Sequence, residues 1–263
     1  MPIDQVKQFC ASLPFRLDPF QMSAVKALSE GRSVLVAAPT GTGKTVVAEF
    51  AVHLALSRGL RALYTTPIKA LSNQKFRDFR ARYGDEVGLM TGDLVENPSG
   101  RLLVMTTEVA RNMLVQDPGL FQDVGCLIFD EVHYLADPER GTAWEESILL
   151  APRHVPLVCL SATVANAAEV ADWIRTTGRD VALVESFDRA VPLKHRYYLD
   201  GALLPILEAE SPVGNALRGS REHLAERAAA RGNGSCAASP DAGAARPPEP
   251  PEVVRSLARD DLL

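Results

Sequence analysis

A chain of 263 residues has room for one or two domains, and 46% hydrophobic with 23% charged residues excludes a polypeptide disordered throughout. The 28 basic and 33 acidic side chains leave a net charge of −5, so any nucleic-acid surface must be local rather than a broad basic face. No apolar run approaches the roughly 18 residues of a membrane span, the start MPIDQVKQFC is not a signal peptide, and Cys10, Cys126, Cys159 and Cys236 lie too far apart for a close-paired zinc site, which predicts a cytoplasmic chain with free thiols and no membrane partner.

Up to about residue 200, short apolar β-prone runs alternate with helical patterns, the mark of βα units around a parallel sheet. In chain order the pattern predicts a helix over 19–29, started by Asp18 as N-cap with Pro19 in its first turn, and a strand over 33–37. A helix over 44–57 ends near Gly59, a strand follows over 61–66, and a helix over 68–82 ends near Gly84. Then come a strand over 102–106, a helix over 107–115, strands over 126–130 and 156–160, a helix over 166–175 and a strand over 181–184. Strands apolar on both faces belong in the middle of a three-layer α/β sandwich with a mainly parallel sheet. From 211 to 252 the composition changes: 25 of those 42 residues are Ala, Gly, Pro or Ser, which reads as a flexible linker before a last helical pattern over 253–263.

The chemistry is concentrated after two of the strands. Behind SVLVA come Ala38, Pro39, Thr40, Gly41, Thr42, Gly43, Lys44 and Thr45, opening a helix. Glycines let backbone N–H groups close around phosphate oxygens, and the helix N-terminus adds positive potential. Lys44 would then reach the β- and γ-phosphates of ATP, and the Thr45 hydroxyl would ligate Mg²⁺. The run departs from Gly-x-x-x-x-Gly-Lys-Ser/Thr in having Ala38 first. Further on, CLIF delivers Asp130 and Glu131 to a strand's C-terminal edge, followed by Val132 and His133. Asp130 would hold Mg²⁺ and Glu131 would polarise the water that attacks the γ-phosphate. Two acids after a strand are a weak signal alone. Lying 86 residues after Lys44, with a phosphate loop already present, they become a strong one.

This order of blocks resembles the DExH-box helicases of superfamily 2, within them the Ski-like group of exosome-associated RNA helicases and their actinobacterial relatives, from about Phe15 to Leu199. The resemblance implies a RecA-like P-loop NTPase fold. It also implies that Phe15 stacks on adenine and Gln21 bonds its edge, where the residues alone read as a core anchor and a surface amide. The run from Thr65 to Lys75 is similar to motif Ia, a strand-to-helix turn that offers donors to a nucleic-acid phosphate, with Pro67 and Lys69 as contacts. Thr91 and Gly92, then Thr106 and Thr107, resemble the next two strand-contacting motifs. Ser161-Ala162-Thr163 looks like motif III, whose hydroxyls bond toward the DExH loop and couple hydrolysis to domain movement. His133 would report nucleotide state through hydrogen bonds, whereas His53, His154, His195 and His223 are left structural. The stretch from Tyr134 to Glu146 is similar to the Ski-like group in particular. By itself it reads as an exposed loop leading into a helix, with Trp144 as packing anchor.

Helicases of this kind use two RecA-like domains with ATP between them, the second supplying an arginine to the transferred phosphoryl. No block here resembles that domain's Gln-Arg-x-Gly-Arg-x-Gly-Arg pattern. The expectation is therefore a first motor domain over 1–200, then over 201–263 a linker and the start of a missing second domain, in a chain cut from a longer product in preference to a genuine short protein that borrows its partner domain. Its partners would be single-stranded nucleic acid, RNA in preference to DNA, and that second domain; the alternatives are a DNA helicase of the same superfamily in repair and a nucleotide-gated interaction module without translocation.

Overall fold

In a computed structural model describing residues 2–189, 196–199 and 202–205, the predicted strands come together in one sheet. The strands are β1 (Ser33–Ala37), β2 (Arg61–Thr66), β3 (Val87–Met90), β4 (Val95–Glu96), β5 (Leu102–Thr106), β6 (Val124–Phe129), β7 (Leu157–Ser161) and β8 (Val181–Glu185). They lie in the order β4-β3-β5-β2-β6-β7-β1-β8, with every pairing parallel except β3 with β4. The helices are α1 (Pro2–Ser12), α2 (Pro19–Ser29), α3 (Thr45–Ser57), α4 (Lys69–Tyr83), α5 (Thr107–Gln116), α6 (Gly141–Leu150) and α7 (Ala167–Thr176).

Strand alternation divides the apolar residues between two cores. Val34, Val36, Ala62, Tyr64, Val104, Ile128 and Val158 face one way, into a cluster closed by Phe9, Val47, Phe50, Phe76 and Phe79 of the first four helices. Leu35, Leu63, Leu103, Leu127, Phe129 and Cys159 face the other way, against Ala110, Leu114, Trp144, Ile148, Ala171 and Ile174 of the last three. Helices therefore cover both faces, as the doubly apolar strands required.

Among these eight strands and seven helices, three elements have no counterpart predicted from sequence. β3 and β4 are too short to show a period, and α1 is held by Phe9, whose ring meets Phe50 edge-on at 5.2 Å. None of the described helices is long and apolar enough to cross a membrane. The chain divides into a unit from Met1 to Pro192 and a second from Leu193 onward. In the latter, β9 (Arg196–Leu199) and β10 (Ala202–Pro205) form an antiparallel hairpin. The linker expected over 211–252 and the helix expected over 253–263 lie outside the described residues.

Candidate ATP and nucleic-acid site

Parallel strands all finish at one edge of the sheet, so the segments singled out in the sequence finish there together. The phosphate loop follows β1, Pro67 follows β2, Thr91 follows β3, Asp130 and Glu131 follow β6, Ser161 ends β7, and Thr106 and Thr107 join β5 to α5. β7 lies between β6 and β1. Ser161 is thus interposed between the acids and the phosphate loop, and its carbonyl accepts from the Ala38 N–H at 3.2 Å.

The phosphate loop needs its glycines. Gly41 and Gly43 have φ of 84° and 81°, the left-handed region where L side chains are strained, and a Cβ on Gly43 would come 2.7 Å from Gln21 Nε2. That amide explains the close approach. Gln21 is 4% exposed, donates to the carbonyls of Thr42 and Gly43 at 3.2 Å each, and accepts from the Asp18 N–H at 2.9 Å. The reading of Gln21 as a surface amide is therefore corrected: the Asp18-started helix buries it as a brace beneath the loop. Phe15 is 49% exposed, so it is not the core anchor its residue type suggested, and its ring is accessible to a planar ligand.

The Lys44 ammonium folds back onto the carbonyls of Ala38 at 2.6 Å and Pro39 at 3.1 Å, and the Thr42 hydroxyl donates to Pro39 as well. Burial lowers the Lys44 pKa, against the nearby charges of Glu131 and Asp130, which raise it. Among the described residues Lys44 has no carboxylate partner. A half-buried cation beside a glycine loop that is open at Gly41 fits a polyphosphate, and the oxygens of Thr45 and Asp130 are hard donors of the kind Mg²⁺ takes.

Asp130 is held from two sides. The Tyr64 hydroxyl donates to Oδ2 at 2.6 Å and the Glu131 N–H to Oδ1 at 3.1 Å. Tyr64 is fully buried, and burial first, then the Asp130 charge, pushes its pKa well up, so it stays a donor. Glu131 sits at φ 57°, a left-handed conformation costing an L residue about 1 kcal/mol, and this turn carries its carboxylate beyond the strand end. His133 Nδ1 lies 3.3 Å from Glu131 Oε2 without the alignment of a hydrogen bond, and its ring lies against Tyr134. The bond expected from motif III to the DExH loop is not formed. Ser161 Oγ is buried with no partner, and no bond joins Thr163 to that loop. By alternation, Ser161 falls on the Cys159 face of the sheet, whereas Asp130 meets Tyr64 on the opposite one.

Beside this centre, an open cleft of about 560 Å³ is lined by Lys69, Gly92, Thr106, Glu108, Asn112 and Arg140 among others. Three of the threonines proposed to touch a strand turn inward. Thr91 is buried and bonds Asp93, Thr107 is fully buried and donates to the Thr66 carbonyl at 3.3 Å, and Thr106 is only 5% exposed. The Thr91 hydroxyl is spent on Asp93 within its own turn and that of Thr107 on the end of β2, whereas Thr106 remains in the lining of the cleft. Lys69 is exposed and pairs with Asp93 at 3.0 Å, and its bond to Asp93 is the main reason that acid's pKa is lowered.

Arg140 escaped the sequence reading as a site residue. Its Nη2 donates to the Pro67 carbonyl at 2.8 Å and to Glu108 Oε1 at 3.0 Å, fastening the segments after β2 and β5 to the loop after the acids. The Ski-like stretch thereby acquires a physical reason. The Asp137 carboxylate accepts from the N–H groups of Glu139 and Arg140, Gly141 passes so close to the Leu135 carbonyl that a Cβ would meet it at 2.3 Å, and Trp144 stacks on Tyr134 at 5.6 Å. Tyr64, Lys75 and Asn112 were missed for the same reason as Arg140: only spatial neighbours give them a role.

A model of the DEAD/DEAH box helicase family matches residues 18–170. The chain is 46% identical over 98% of its length to "Probable helicase HelY" of Mycobacterium tuberculosis and 48% identical over 76% of its length to "Antiviral helicase SKI2" of Saccharomyces cerevisiae. It spans only 30% and 16% of those proteins. Among solved structures, Mycobacterium smegmatis helicase Lhr bound to single-stranded DNA and AMP-PNP aligns with 86% of this chain and 32% of its own, at 25% identity and a TM-score of 0.54. The helicase MrfA bound to DNA and AMPPNP aligns with 70% of this chain and 29% of its own, at a TM-score of 0.54 and 20% identity, a likeness of fold.

Proposed function

The chain belongs to the DEAD/DEAH box helicase family, and on that premise we propose that it is the ATP-binding motor domain of an ATP-dependent 3′-to-5′ RNA helicase. One observation carries the reading: a half-buried lysine, without a carboxylate partner among the described residues, lies in a glycine loop on the same sheet edge as the Asp130–Glu131 pair. Phe15 stacks on adenine, with Gln21 beside it. The loop from Ala38 through Thr45 wraps the phosphates, and Thr45 and Asp130 hold the cation. Bound Mg²⁺–ATP supplies the phosphoryl group and the neutralising charge. Glu131 orients and deprotonates the attacking water, and His133, Ser161 and Thr163 make their bonds when nucleotide closes the site.

The cleft edged by Pro67, Lys69, Gly92 and the backbone of Thr91, Thr106 and Thr107 takes a single strand by its phosphates. RNA is favoured by relatives such as the Arabidopsis thaliana "DExH-box ATP-dependent RNA helicase DExH11", 44% identical over 82% of this chain. Lhr, solved with single-stranded DNA bound, favours a DNA strand instead, and competition between matched strands separates the two. Buried free thiols at Cys126 and Cys159 suit the cytoplasm.

The arginine for the transferred phosphoryl comes from a second RecA-like domain, and the 263 residues tested by themselves bind ATP–Mg²⁺ and hydrolyse it poorly. The test is ATP binding and steady-state turnover with no nucleic acid, with single-stranded RNA and with matched DNA, using Lys44→Ala as blank. Clear binding with little turnover is expected. Strong RNA-stimulated turnover would refute the need for a second domain, and binding equal to that of Lys44→Ala would refute the nucleotide site.

A further inference from the structure

Lys75 lies about two turns into α4, outside the phosphate loop and the acid pair, yet its side chain reaches the last residue of that loop and the ring of Tyr64. Its Nζ donates to the Thr45 hydroxyl at 3.2 Å and stands 5.6 Å from the centroid of the Tyr64 ring, the tyrosine that holds Asp130. Thr45 and Asp130 are the two protein oxygens assigned to the metal. A divalent cation on Thr45 uses a hydroxyl lone pair, and in this structure an ammonium is hydrogen-bonded to that oxygen. The other cation of the site is also turned inward, since Lys44 bonds the carbonyls of its own loop. Lys44 thus stands close to the carboxylates of Asp130 and Glu131, whereas Lys75 bonds Thr45 and lies near the ring of the tyrosine that holds Asp130.

We propose that Lys75 is a built-in counter-cation of the metal position, whose bond to the Thr45 hydroxyl is exchanged for Mg²⁺ when the metal binds. The Tyr64 ring gives the displaced ammonium a second place to rest, because a lysine over an aromatic face keeps part of its electrostatic stabilisation. The exchange makes nucleotide binding less dependent on metal than two donors and two acids alone would allow: the protein's own charge partly replaces Mg²⁺ before it arrives, and opposes it when it does. This inference rests on the assignment of Thr45 and Asp130 to the metal.

The experiment is the affinity of a fluorescent ATP analogue for the full chain, by anisotropy, in EDTA and in saturating Mg²⁺, for the wild type, Lys75→Met, Lys75→Arg and Lys44→Ala. The readout is the ratio of the two dissociation constants, which a purely structural role for Lys75 would not move. Lys75→Met, which keeps the stem over Tyr64, should weaken metal-free binding and raise the ratio by roughly three- to tenfold, the scale of one screened charge at a few ångströms. Lys75→Arg should return it toward the wild-type value. An unchanged ratio in Lys75→Met, with wild-type binding intact, overturns the role of Lys75 and leaves the nucleotide site standing. If Lys75→Met does not melt cooperatively, Lys75→Gln is read in the same way. Wild-type binding no better than that of Lys44→Ala overturns the nucleotide site, and this inference with it.

Discussion

Removing one oxygen atom at Tyr64 isolates the contact that aims Asp130. In Tyr64→Phe the ring keeps its volume in the core, so no cavity contributes, and only the 2.6 Å bond to Asp130 Oδ2 is lost. Hydrogen bonds to charged groups contribute roughly 1.5–3 kcal/mol, and here the abandoned carboxylate oxygen sits against a fully buried ring. For a domain of this size each kcal/mol moves the melting temperature by about 2–4 °C, which puts the expected drop between roughly 3 and 12 °C. Circular dichroism melts at pH 7.5 measure it, and a double-mutant cycle with Asp130→Asn separates the pair from its surroundings. A coupling energy of about 1.5–3 kcal/mol is expected. If Tyr64→Phe melts within a degree of the wild type and the cycle closes near zero, the tyrosine does not hold the carboxylate.

Other consequences are equally measurable. Gly141→Ala drives a Cβ toward the Leu135 carbonyl, and the overpacking should cost about 1–3 kcal/mol and alter the near-ultraviolet signal of Trp144; an unchanged melt would show that the loop yields freely. Glu131→Gln keeps the left-handed turn and the nucleotide contacts, so ATP binding should persist while turnover, in whatever assembly supports it, falls by about 10²–10⁴; unimpaired turnover removes Glu131 from the role of base. Burial, aided by the Arg82 charge, lowers the His53 pKa from its ordinary 6.5, so the unfolded chain takes up a proton that the fold refuses. The stability present above pH 6.5 is therefore lost as pH falls toward the folded value. Urea midpoints at pH 7.5 and 5.5 should differ less in His53→Phe than in the wild type, and equal differences would contradict this.

The elements legible in the sequence are those whose signals are local. Asp18 and Pro19 start α2 where expected, and the runs SVLVA, RALYTT and LLVMT are strands over the expected residues. Val87–Met90 escaped because four residues with a glycine among them carry too little period. Lys44, Thr45, Asp130 and Glu131 were singled out from sequence because their chemistry fixes both residue type and spacing, and the structure brings them to one sheet edge. Tyr64 and Arg140 were not, because a tyrosine in a strand and an arginine in a loop have many uses.

Sequence alone determined the fold class and the edge at which the chemistry gathers: strands apolar on both faces must be covered by helices, and parallel strands must end together. The tertiary structure decided which side chains are spent inside the protein and which are left for a ligand. Gln21 is turned under the phosphate loop, Thr91 is folded into its own turn and Thr107 onto the end of β2, and Arg140 and Lys75 are carried across from other elements to fasten what the motifs supply. Those outcomes depend on distances between residues far apart in the chain, and no local pattern of apolar and polar residues encodes them.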